Sequence, residues 1–110
     1  MKSNLVYLLH IRDACLRIET YIDGKTFSEF RRTQLLQDGV VRQIQIIGQA
    51  AKQLTPELRK KLKAIDWIGI IGMRNKLVHE YFGVDLKTIW VTAAEEVPQL
   101  LKELEKYRNR

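Results

Sequence analysis

One cysteine, two prolines, six glycines and two histidines in 110 residues leave several chemistries without material. A lone thiol, Cys15, excludes an internal disulfide and a cysteine-built zinc site. It falls in an apolar row at helical spacing, which suits a small buried side chain better than a nucleophile. So few prolines and glycines provide few breakers, and long helices with short connections are expected. No stretch alternates apolar and polar residues as a half-buried strand does. No apolar run approaches the roughly 20 residues of a membrane-spanning helix. The first one is interrupted by His10, Arg12 and Asp13. The cytoplasm is therefore the expected compartment, with no membrane partner. A phosphate-loop glycine pattern and a nucleophile elbow are both missing. Positions 79–83 read His-Glu-Tyr-Phe-Gly, so the second histidine of a zinc-protease helix is missing too. The chain offers little to a metal, and no cofactor is expected.

Positive charge is what the chain has in excess. Nineteen Lys and Arg face 13 Asp and Glu, for a net charge of +6 and a pI near 9.6. Such a balance suits nucleic acid, an anionic surface or an acidic partner, although solubility alone would also account for it. A local cluster, Arg59, Lys60, Lys61 and Lys63, reads better as a solvated face than as a binding patch. Hydrophobic residues make up 45% and charged residues 29%, an ordinary globular composition. Residues 1–110 read as one domain.

Helical periodicity organises that domain. Leu8, Ile11, Cys15, Ile18 and Ile22 step by three and four, giving a first helix over about 4–22 that Asp23-Gly24 ends. Ser28 is a candidate cap for a second stretch running to about Leu54, which Asp38-Gly39 could break or bend. In that stretch Val40, Ile44, Ile47, Ala51 and Leu54 form the apolar face, and Gly48 within it permits a close helix approach. Thr55-Pro56 fits a cap and first helical residue for a short helix over about 56–63. Asp66 suits the cap of the next helix, which Phe82-Gly83 would end. Asp85 can cap a last helix over about 86–107 that Pro98 should bend. The expectation is an all-α, up-and-down bundle of four main helices plus a short fifth.

The helix opening Trp67-Ile68-Gly69-Ile70-Ile71-Gly72-Met73 is apolar all round and so needs cover from more than one direction. In a domain this small a second copy is a reasonable cover, with Gly69 and Gly72 letting a neighbouring backbone come close. The same helix continues into Arg74-Asn75-Lys76-Leu77-Val78-His79-Glu80-Tyr81. His79 can move a proton near neutral pH, and Arg74 can hold phosphate oxygens through forked, charge-assisted bonds. Cleavage of RNA by attack of the ribose hydroxyl needs those two abilities and no metal.

Asn75, four residues before His79, shares its face and could orient the imidazole. Arg74, five residues before, lies about 140° around the axis. Either the arginine bends round, the helix distorts near its end, or the site draws on two protomers. The spacing by itself is common, and each residue has a plain alternative. His79 could be a core histidine, Arg74 a surface ion-pair partner and Tyr81 an amphipathic core edge. His10 has only that ordinary reading.

The full string from Arg74 to Asp85 resembles the signature of the HEPN superfamily in its HepT-like branch. Trp67 to Met73, Val41 to Leu54 with Ile47-Gly48-Gln49-Ala50-Ala51, the first helix and the tryptophan-bearing last helix are also similar to it. Gln49 departs from the pattern, where a glutamate is expected. The resemblance implies a homodimer with its motifs facing each other. It implies a metal-independent endoribonuclease toxin whose antitoxin partner is a minimal nucleotidyltransferase. Arg74 and His79 match the catalytic positions, Asn75 the supporting one, and Tyr81 the tyrosine that the antitoxin adenylylates. A non-catalytic helical subunit that binds a nucleotidyltransferase is the alternative.

Overall fold

The structure, a computed structural model, describes residues 3–108. Its elements are α1 (Asn4–Ile22), α2 (Phe27–Arg32), α3 (Gln34–Gln53), α4 (Pro56–Lys61), α5 (Trp67–His79) and a 3-10 turn (Tyr81–Gly83). They continue with α6 (Leu86–Val91), a π-helical turn (Thr92–Glu96) and α7 (Val97–Arg108). This is the expected all-α bundle. Its long members are α1, α3, α5 and the α6–α7 unit, with α2 and α4 as short connectors.

Helix α3 lies at the centre, packed on α1 along one side and on α5 along another, while α7 packs on α1. Ile11, Cys15 and Ile18 of α1 and Val40, Ile44 and Ile47 of α3 are buried, as their spacing requires. Each fully buried aliphatic side chain of this kind stabilises the fold by about 1.5–3 kcal/mol. The ring of Phe30 lies 5.4 Å from that of Trp90, which fixes α2 against α6. Three caps form as the sequence suggests. Thr55 accepts from the amide of Leu58, Asp66 from Gly69 and Asp85 from Lys87. Gly24 takes the positive φ, 71°, that closes α1.

Other expectations are corrected. Thr26, not Ser28, caps the second helix, accepting from the amide of Glu29. The stretch up to Leu54 is two helices, parted at Thr33 in an extended conformation (φ −119°). The buried side chain of Gln37 supports that break, donating to the end carbonyls of α2 at Phe30 and Arg31. Asp38-Gly39 breaks nothing. A side chain at Gly39 would meet the Tyr21 ring at 3.3 Å, so the glycine serves the α1–α3 contact instead. Helix α4 stops at Lys61, and α5 ends at His79 rather than at Phe82-Gly83. The last helix runs from Leu86 to Arg108 as expected, but it is not regular throughout. Pro98 has no amide hydrogen and its ring crowds the carbonyl four residues back, so the chain widens into a π turn just before it. Among the described residues no helix is long and apolar enough to cross a membrane.

Candidate active site

The motif residues are held by an antiparallel pairing of α3 with α5. A Cβ added at Gly48 would fall 2.1 Å from the Cβ of Arg74 and 2.7 Å from its Cγ. Only glycine lets the two backbones meet at that level, so the expected close approach occurs directly against Arg74. Further along, the side-chain amide of Gln45 donates to the carbonyl of Leu77 at 3.4 Å. At the end of the pairing the hydroxyl of Tyr81 reaches Oδ1 of Asp38 at 3.4 Å. The same carboxylate oxygen accepts from Nε2 of Gln34 at 2.8 Å.

Arg74 is half-buried at the α3 contact and its guanidinium turns outward. Nη1 donates to Oδ1 of Asn75 at 2.9 Å. The bond that the sequence suggests between Asn75 and His79 is replaced by this one. Asn75 lies one turn before His79, so the arginine head is drawn toward the stripe that carries the imidazole. Within the chain the Arg74 head stops at Asn75 and makes no hydrogen bond to His79 among the described residues. Helix α5 stays regular through His79, so distortion does not bring the two together either.

His79 is exposed in the last turn of α5, and its ring makes no hydrogen bond to another described residue. It is therefore not a core histidine. Val78 is exposed beside it, and Leu77 is the buried anchor of that turn. Tyr81 sits not on α5 but in the following 3-10 turn, half-buried against α3. Desolvation and the neighbouring Asp38 carboxylate push its phenol above the ordinary range, while the Gln34 contact opposes them. Gln49 is exposed on α3, one residue from the Gly48 contact.

The apolar opening of α5 is only partly covered. Trp67 is buried, but Ile68 is 88% exposed. Ile68, Gly72, Asn75 and His79 follow helical steps along the side of α5 turned away from α3. The space beside Gly72 is open, and no element of the described chain approaches it. At Gly69 the lack of a Cβ leaves room for the carboxylate of the helix's own cap, Asp66. On the side of α5 toward α7 lies a cleft of about 620 Å³. Ile44, Ile47, Ile70 and Met73 form its apolar lining, and Glu95, Glu96 and Glu103 contribute acidic groups.

Two other sequence features have no part in the site. His10 is exposed on α1 with its ring edge-on to Tyr7. Of the basic cluster, Lys60, Lys61 and Lys63 are solvated as expected, whereas Arg59 is half-buried with its Nε out of solvent. Sequence reasoning missed Asp38 and Gln34, the partners of Tyr81. Their signal was the helical step of four between them, which was visible but pointed to nothing without the fold.

The described residues thus form an all-α bundle with His79 exposed at the end of α5 and the Arg74 head bonded to Asn75 on the same helix. The chain belongs to the Ribonuclease HepT-like family, whose profile matches residues 11–107. A protein of Caldanaerobacter subterraneus subsp. tengcongensis, described as a "putative RNase", is 40% identical over 104 residues, covering 94% of this chain and 93% of that one. A "probable ribonuclease HepT" of Thermococcus cleftensis is 35% identical over 108 residues, covering 98% of each chain. A Methanocaldococcus jannaschii protein described as "gamma-glutamylcyclotransferase and putative RNase" is 41% identical over 103 residues, which is 46% of its length. No solved structure matches the chain.

Proposed function

We propose that the chain is a metal-independent endoribonuclease, the toxin of a toxin–antitoxin pair, acting in the cytoplasm as a homodimer. The observation that carries this reading is the Arg74–Asn75 bond, which brings a guanidinium toward the exposed stripe holding His79. His79 takes the proton of the attacking ribose 2′-hydroxyl, or returns one to the leaving 5′-oxygen. Two protomers with facing motifs would divide those roles. Arg74 stabilises the charge that builds on the phosphorus centre, and Asn75 holds it in place. Oxygen–phosphorus bond formation at the 2′ position expels the 5′-oxygen, leaving a cyclic phosphate on one fragment and a hydroxyl on the other. The uncovered Ile68–Gly72 edge of α5 supports dimerisation through this helix.

The partner in this reading is a minimal nucleotidyltransferase antitoxin that transfers adenylyl groups to Tyr81. Its hydroxyl lies in the turn directly after His79, so an added nucleotide brings bulk and negative charge to the place where RNA phosphate docks. The test is cleavage of RNA in excess chelator. Wild type should cut, and His79→Ala should lose cutting with unchanged thermal stability. Cleavage by that variant at the wild-type rate removes the assignment. Arg74→Ala should weaken RNA binding and lower its salt dependence by roughly one ion.

A further inference from the structure

The turn that follows α5 presents Phe82 to solvent with 99% of its surface exposed. A single exposed apolar side chain is ordinary in itself. The setting of this one is not. It stands three residues after His79, at the end of the helix that carries the motif. The turn is closed by backbone bonds from Gly83 to Glu80 at 2.8 Å and from Val84 to Tyr81 at 3.2 Å. The Tyr81 ring sits edge-to-face with the Phe82 ring, centroids 5.4 Å apart, and Tyr81 itself is seated on Asp38. An aromatic ring thus stands out from the surface on a closed turn, just past the last turn of α5, which carries Lys76 and His79.

We propose that Phe82 is a stacking platform for an unpaired base of the RNA, next to the scissile phosphate. The proposal rests on the reading of α5 as the ribonuclease site and adds a substrate requirement to it. Bases stack on aromatic faces only where they are splayed out of a duplex, so the preferred substrate is single-stranded. Stacking is tolerant of base identity, so Phe82 contributes affinity and registration rather than a sequence code. Division of labour follows from charge. Arg74 grips the backbone and responds to salt, whereas Phe82 grips a base and does not.

The experiment measures binding of a fully 2′-O-methylated mixed-sequence oligonucleotide, which cannot be cut by ribose attack, as a single strand and as a duplex. Phe82→Ala and Phe82→Leu should each weaken single-strand binding by roughly tenfold, the scale of one lost base stack. Phe82→Trp should bind at least as well as wild type. The slope of affinity against salt should stay at the wild-type value in the Phe82 variants and fall in Arg74→Ala. Duplex binding should not respond to Phe82→Ala. Wild-type affinity in Phe82→Ala overturns the proposal, and so does wild-type affinity in Phe82→Leu, because an apolar contact would then suffice. A change of oligomeric state in Phe82→Ala that accounts for the lost affinity assigns the ring to a protein interface and overturns it too. Failure of the underlying reading looks different: His79→Ala would still cut unmodified RNA.

Discussion

Cys15 and Tyr81 show how differently two ionisable side chains are placed. Cys15 is wholly buried, and desolvation, with a contribution from Glu19, pushes its thiol up to about 12. The folded state therefore favours the protonated form. That contribution is complete below the ordinary thiol range and is lost as pH climbs from there toward 12. A thiol reagent at pH 8 should leave the native protein unlabelled and label it fully in denaturant. Labelling of the native protein at the unfolded rate would contradict the burial. Tyr81 is also raised, by desolvation first and by Asp38 second, so its contribution is present at neutral pH and lost above the ordinary phenol range. Replacing Asp38 with Asn removes the charge and keeps an acceptor. The Tyr81 phenol should then titrate lower than in wild type, as read by ultraviolet difference absorbance.

At the scale of elements, the pairing of α3 with α5 carries the site, and Gly48 is its tightest point. Gly48→Ala places a methyl group against the stem of Arg74. Overpacking of this kind costs about 1–3 kcal/mol. It should also move the guanidinium, so activity per folded molecule should fall well beyond the stability loss. Gly39→Ala, which meets only the Tyr21 ring, should lower stability and spare activity. Thermal melts alongside cleavage assays separate the two. Thr55→Ala removes a cap and should cost about 1 kcal/mol.

Much of this scale was legible in the chain. Asp66, Thr55 and Asp85 act on amides two or three residues ahead, so their roles show in local spelling. Gly48 stood out because it interrupts an apolar stripe. Thr33 was invisible because its break depends on a glutamine reaching back from the next helix. The Arg74–Asn75 bond was hidden for another reason. Helical phase places Cβ atoms but not the end of a long arginine.

For the whole molecule the open question is what covers α5. Ile68 and the space beside Gly72 lie on an edge that the chain itself does not bury. If a second copy covers it, Ile68→Asp should convert a dimer to a monomer in sedimentation and reduce cleavage together with it. An unchanged sedimentation coefficient would mean that no second copy docks through this edge. Helix α5 rests chiefly on α3, and a cleft separates part of it from α7. A rod braced from one side is the piece that unzips first when a fold loosens. Its amides should exchange with deuterium sooner than those of α3 in the isolated chain, and a clamping companion should slow them. The cutting edge would then be sturdy only while it is held, and a lone copy would be a blunt tool.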